Sequence, residues 1–216
     1  MAYQQIDVRP DDLVDKVYIP GRKGSLQIEM LATARQFGVI PYSMDSSLNN
    51  IMTELAAGNP VLVFQNLLFN WYPQCHYAVI VGYDIESQQL ILRSGTSRRH
   101  RVNMGTFERT WQRAQSWAYV MTPPNKIPET ATPASYIQAI HQLEKSGLSQ
   151  LAYQAYSHAS QQWPDNELLL MALGNSEYQL EKFDQAKNHF STVIANNHHH
   201  SMPWNNLAYT FSALQH

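Results

Sequence analysis

Cys75-His76-Tyr77-Ala78-Val79-Ile80-Val81-Gly82-Tyr83-Asp84 places a histidine at the mouth of an apolar strand. Val79, Ile80 and Val81 are β-branched neighbours whose stiff side chains suit a pleated surface, and Gly82 to Asp84 read as the turn that ends the run. Leu90-Ile91-Leu92 follows the polar stretch Glu86-Ser87-Gln88-Gln89, so the two runs predict a hairpin. An imidazole at the entrance of a buried strand is held on a rigid element, as a general base must be. Strand capping is the alternative role for His76. Cys75 is the single cysteine of the chain. Successive strand residues point to opposite faces, so its sulfur is predicted to turn away from the ring. It reads as a small buried or half-buried thiol.

Moving outward, Pro10-Asp11-Asp12 opens a short helix to about Tyr18, since proline and acids suit a first turn. Ser25 is the predicted cap of an amphipathic helix closed by Gly38, and Asp45 or Ser46 the cap of another ending before Gly58. Pro60 to Phe64 reads as a buried strand, Thr106 to Arg113 as a helix, and Trp117 to Met121 as a last strand. Strands grouped late among helices give an α+β order over residues 1–122. Four prolines between Pro123 and Pro133 remove backbone donors and favour extended chain, so 123–132 reads as a linker. Beyond it, over 133–216, nothing reads as a strand.

That tail repeats. A 34-residue helix–turn–helix pattern asks for a bulky residue, Leu and Gly on one helix, then Ala and an aromatic on the next, then Pro. Leu170, Leu173, Gly174, Ala186 and Phe190 fit it. One period earlier come Tyr136, Ala152 and Tyr156, with Pro164 closing; one period later come Trp204, Leu207, Ala208 and Phe211. The predicted architecture is an all-α tetratricopeptide-repeat solenoid with copies at 133–166, 167–200 and a partial one at 201–216. Asn175, Tyr178, Asn205 and Asn206 are its candidate peptide-binding face. The terminal helix is expected to expose Trp204, Leu207 and Phe211 and to promote self-association.

Composition narrows the rest. With 44% hydrophobic and 15% charged residues the chain is a globular protein, and a net charge of −2 argues against a nucleic-acid partner. Arg98-Arg99-His100-Arg101 is a local basic cluster, predicted to be a solvated loop. No apolar run approaches the roughly 18 residues a membrane span needs, and Met1 to Arg9 has no signal-peptide core. No cofactor motif stands out. His198-His199-His200 reads as a solvated turn and not as a metal site, because consecutive turn residues rarely converge on one ion.

The order helix, helix, strand, His-headed strand, hairpin partner resembles the C-terminal part of a papain-like cysteine peptidase. It is most similar to the bacteriocin-processing (double-glycine leader) peptidases and their stand-alone relatives with a tetratricopeptide tail. The resemblance implies that His76 is a general base taking a thiol proton. The third triad member, Asp or Asn in the family, falls here at Arg93-Ser94-Gly95, leaving Ser94 as an uncharged orienter. Asp84 sits about eight strand steps from His76, well beyond hydrogen-bond reach. Trp71 and Tyr72 become candidate linings of a substrate cleft. The family's nucleophile opens a helix near the domain start, after a glutamine; here Met1-Ala2-Tyr3-Gln4-Gln5 looks like that helix's last turn, and no Gln…Cys-Gly-Pro segment is present. The expectations are therefore a partial papain-like domain with a base but no nucleophile, an exposed apolar groove beside His76, and a peptide or protein ligand. The other function class is a non-catalytic peptide-binding or scaffold protein.

Overall fold

The structure is a computed structural model that describes residues 8–9, 11–22, 24–196 and 201–215. The readings at Met1 to Gln5 and at His198 to His200 lie outside the described residues. The chain divides into two compact units, residues 1–122 with 128–131, and residues 123–127 with 132–216. The proline-rich stretch is thus shared between the units instead of standing free as a linker.

The first unit runs α1 (Asp11–Val17), α2 (Gln27–Gln36), β1 (Ile40–Ser43), α3 (Leu48–Ala56), β2 (Val61–Asn66), β3 (Cys75–Asp84), β4 (Gln89–Ser94), β5 (Ser97–Asn103), α4 (Met104–Gln112) and β6 (Ala118–Thr122). The six strands form one sheet in the order β1-β6-β2-β3-β4-β5, and every pairing is antiparallel. The expected hairpin of β3 and β4 is present, with a bulge between Ile80 and Gly82.

Register divides the sheet into two faces. Val61, Val63 and Gln65 lie opposite Ile80, Ala78 and His76, so these six share one face. Gln65 Nε2 donates to Thr110 Oγ1 at 2.7 Å, which puts α4 on that face, with Phe107 and Trp111 fully buried beside it. Leu62, Val79 and Met121 belong to the other face, where α1 and α2 pack.

Three local expectations need correction. Arg98 to Arg101 are not a loop but the body of β5, an exposed edge strand; the charges there keep an open edge from pairing indiscriminately. Ile40–Ser43 is a strand that the sequence reading did not assign, because Pro41 interrupts the run and only pairing with β6 completes it. Ser25 does not cap α2, which begins after Leu26 with no side-chain cap, and α3 is capped by Ser47 Oγ accepting from Asn50 N. The Ser46 hydroxyl is engaged elsewhere, donating to Ser116 O at 2.8 Å. Gly38 and Gly58 close α2 and α3 at φ +74° and +76°, a left-handed geometry that favours glycine.

A buried carboxylate fastens the returning segment 128–131. Glu54 is 0% exposed; its Oε1 accepts from Thr130 N at 2.7 Å and Thr130 Oγ1 at 2.6 Å, and its Oε2 from Asn59 Nδ2 at 2.7 Å. Tyr42 donates to Thr130 O from the same core.

The second unit is helical among its described residues: α5 (Pro133–Lys145), α6 (Ser149–Gln162), α7 (Glu167–Gln179), α8 (Phe183–Asn196) and α9 (Ser201–Ala213). α5, α7 and α9 start 34 residues apart, as do α6 and α8. Thr132 and Asn166 cap α5 and α7 by accepting from Ser135 N and Leu169 N. Each helix packs on the next. Small residues set the spacing: a Cβ at Gly174 would lie 2.6 Å from Phe190 Cε1, so α7 and α8 meet only because position 174 lacks one.

His189 Nδ1 lies 2.6 Å from Glu177 Oε2, with Glu177 2% exposed. The hydrogen bond to that carboxylate holds the imidazole pKa above its ordinary value, against the opposing effect of burial. A raised folded value means the pair stabilises fully below the ordinary histidine range near 6.5 and loses that contribution as pH rises through the folded value. Urea midpoints followed by circular dichroism at 222 nm should therefore fall on the alkaline side of about pH 6.5. His189→Gln should flatten that slope.

Candidate functional site

His76 enters the site from the second position of β3. Its partner Gln65 is tied to α4, which packs on the face that the two residues share and fixes this end of the strand. β4 returns alongside, and after the bulge between Leu92 and Ser94 it delivers Ser94, whose Oγ lies 2.8 Å from His76 Nε2. A ring that donates from Nε2 to this hydroxyl leaves Nδ1 as the proton-accepting atom. Ser94 carries no charge, so this contact offers the ring a hydrogen bond without the stabilisation of an imidazolium that a carboxylate would give.

Cys75 pairs with Asn66 and His76 with Gln65, on successive rungs. The thiol therefore belongs to the opposite face. It is exposed and not buried, because β3 ends at the loop mouth and nothing covers its first residue.

His76 opens onto a depression of about 580 Å³ lined by Gly24, Ser25, Leu26, Phe64, Cys75, Tyr77 and Gly95. A neighbouring depression of about 380 Å³ shares Phe64 and Cys75 and adds Gln27, Asn66, Asn70 and Arg113. The aromatic wall between them is built by contact: Phe64 and Tyr77 rings are 4.5 Å apart, and Trp117 meets both edge-on. Tyr77 Oη donates to Ser25 O at 3.4 Å, and burial, with Cys75 as a lesser cause, pushes its phenol up to about 12. It stays a hydrogen-bond donor throughout the neutral range. Arg113 Nε donates to Asn66 O at 3.3 Å, which brings a guanidinium to the second depression.

Two expectations about this region fail. Trp71 and Tyr72 line neither depression; Trp71 is 82% exposed and stacks on Phe69, because the loop 67–74 folds on itself through the Asn66 side chain. The apolar groove exists but does not adjoin His76. It holds about 260 Å³ between Leu13, Val17, Met30, Ala34, Leu62, Val79 and Met121, on the α1–α2 face. Position along the strand is the reason: Val79 lies three residues into β3 from His76, toward the α1–α2 packing, whereas His76 sits at the strand mouth.

In the helical unit, Asn175, Tyr178 and Asn206 gather in a depression of about 220 Å³ with Gln179, Phe190 and Tyr209. Asn206 Nδ2 donates to Asn175 Oδ1 at 2.7 Å. Asn205 is exposed and absent from this depression, being a helical step of about 100° from Asn206, and Tyr209, one turn on, takes its place.

The sequence profile of the Peptidase_C39 like family matches residues 1–119, more than half of the chain. The chain belongs to the Peptidase_C39 like family. No curated protein matches it. Among solved structures it is similar to a crystal structure of a C39-like peptidase candidate from Bacillus anthracis, at 18% identity and a TM-score of 0.39. That likeness covers 49% of this chain and 62% of the other, so the chain spans under two thirds of that relative's length. The C39-like match contains His76, Ser94 and both depressions beside them. Gln65 went unnoticed as a site-supporting residue, although a lone amide in the run Val61-Leu62-Val63-Phe64-Gln65-Asn66 was a visible signal: a buried polar side chain needs a partner. The segment Gly24 to Leu26 had no such signal, since only the fold brings it to His76.

In the described residues no helix is long and apolar enough to cross a membrane, and no group of three or more His, Cys, Asp or Glu side chains could hold a metal ion.

Proposed function

We propose that the first unit is the His-bearing part of a C39-type cysteine-peptidase domain of the bacteriocin-processing kind, inactive by itself, and that the second is a tetratricopeptide tail that holds a peptide or protein ligand. The observation that carries the first half is the pairing of His76 with Ser94 on β3 and β4 while the chain's one thiol sits on the opposite face. A general base without a nucleophile cannot form the acyl-enzyme on which thiol peptidases depend. His76 is assigned as the base, with Ser94 as its positioning residue. Phe64 and Tyr77 replace Trp71 and Tyr72 as the cleft wall. The helix period of 34 residues and the cluster of Asn175, Tyr178 and Asn206 support the tail's assignment to an extended peptide.

The same cleft favours a second reading, a non-catalytic peptide-binding protein, because Cys75 is exposed in it and still misplaced for His76. One experiment separates both readings from an active enzyme. Incubating the full chain with a fluorogenic peptide carrying a double-glycine cleavage site should give no turnover above buffer. Turnover that disappears in Cys75→Ser would overturn the assignment of an inactive chain. Binding of the unlabelled peptide, weakened several-fold by Phe64→Ala and unaffected by Trp71→Ala, would support the cleft.

A further inference from the structure

The sheet face on which Cys75 and Tyr77 line the depression at His76 continues past it as an open basic surface. Arg93 lies opposite Val79 on β3, and Arg101 lies opposite Ile91 on β4. Alternation therefore sets Arg93, Arg99 and Arg101 on the face of Cys75, Tyr77 and Val79, and all three arginines are exposed there. Arg101, further from the strand mouth, donates to Asp84 Oδ2 at 3.3 Å and to Gln89 Oε1 at 3.2 Å. Nearer His76 the charges have no such counterpart: among the described residues, neither Arg93 nor Arg99 takes part in an ion pair. The two stand side by side, one step beyond the Leu92–His100 pair and just before the bulge. Guarding an open edge explains charges on β5, but Arg93 stands on β4, which is paired on both sides. Like charges on neighbouring strands repel, so this pair costs stability unless an anion meets it.

Resting on the reading of the His76 depression as a peptide cleft, we infer that Arg93 and Arg99 select a ligand with acidic side chains where it crosses β4 and β5. Ser94, the residue that meets the imidazole, directly follows Arg93, so the charges begin where the cleft ends. Neighbouring strands lie about 4.8 Å apart, which sets β5 about 10 Å from β3, the reach of about three extended residues. The acidic side chain is therefore expected about three residues from the one seated at His76. Guanidinium groups suit it, because their planar fork takes a carboxylate through two parallel hydrogen bonds. A short acidic run fits better than a nucleic acid: the chain's net charge is −2, and the unpaired charge on this face is confined to two side chains.

Fluorescence anisotropy of labelled double-glycine peptides on the full chain tests this. One peptide is neutral throughout; two others carry a pair of glutamates about three residues before or after the glycines. One of the acidic peptides should bind about fivefold tighter than the neutral one at low ionic strength, an advantage that fades at high salt because both arginines are exposed. Arg93→Gln and Arg99→Gln should each remove most of that advantage with an unchanged circular dichroism spectrum. Arg98→Gln, on the opposite face of β5, should keep it. Equal affinity for all three peptides overturns the inference and leaves the cleft standing, whereas binding of none overturns the cleft as well. An equal loss in Arg98→Gln would reduce the effect to diffuse charge and also overturns it. So does a short oligodeoxynucleotide that competes better than the acidic peptide, which would assign the arginines to a nucleic acid.

Discussion

Replacing Glu54 with alanine is expected to destabilise the first unit by about 3 kcal/mol, among the largest single effects available in the chain. The reason is the accounting of donors. The carboxylate takes hydrogen bonds from Thr130 N, Thr130 Oγ1 and Asn59 Nδ2 in a fully buried position, and alanine supplies no acceptor for any of them. A buried donor left unsatisfied costs about 1–3 kcal/mol, and bonds to charged acceptors are the stronger kind. Glu54→Gln should cost about half as much, because one carbonyl oxygen can still serve Thr130 while the new amide confronts the amide of Asn59. Urea unfolding followed by tryptophan fluorescence reads the effect, since Trp111 is buried in this unit and bonded through Nε1 to Trp117 O. A double-mutant cycle with Thr130→Val isolates the contact: strong coupling is expected, and simple additivity would show that Glu54 acts through some other neighbour. Because Thr130 belongs to the returning segment 128–131, the substitution should also raise amide exchange there before the sheet itself loosens.

Gly174→Val should destabilise the helical unit by about 2 kcal/mol, although valine is the better helix former of the two. Phe190 occupies the space a side chain would need, with Cε1 2.6 Å and Cδ1 and Cζ 3.0 Å from the position of a Cβ. Contacts that short force the ring or a whole helix to move, and Phe190 is 1% exposed with little room to do so. Overpacking commonly costs 1–3 kcal/mol, which outweighs the few tenths gained in helix propensity. The distinguishing measurement is rescue. Phe190→Leu alone leaves a cavity and costs roughly 1 kcal/mol, yet in the Gly174→Val background it should restore stability. Loss of circular dichroism signal at lower urea for the single variant, with recovery in the double, is the expected outcome. A Gly174→Val chain as stable as the parent would mean that α7 and α8 are free to separate.

Much of the first unit could be read from local pattern. The β-branched run Val79-Ile80-Val81 marked β3, Leu90-Ile91-Leu92 marked its hairpin partner, and Gly38 and Gly58 marked two helix ends, because each signal lies within a few residues of the element it specifies. The sites of failure share a cause too. β1 and β5 are short or charged strands whose existence depends on a neighbour in the sheet, not on their own composition. Ser47 caps α3 instead of its neighbours because Ser46 is drawn to Ser116, seventy residues away.

The candidate site divides in the same way. Sequence by itself determined that His76 and Cys75 alternate along the strand, since alternation is a property of the backbone, and that β4 returns beside β3. It also determined the 34-residue period of the tail, because each repeat is a local helix pair. Only the tertiary structure decided which surface His76 opens onto, since sheet order and the packing of α1, α2 and α4 choose what covers each face. It alone brought Gly24 to Leu26 against the histidine and turned Trp71 away from it. Those contacts span tens of residues, and no local preference encodes them: they follow from burying the apolar face of the sheet, a requirement that acts on the whole unit at once.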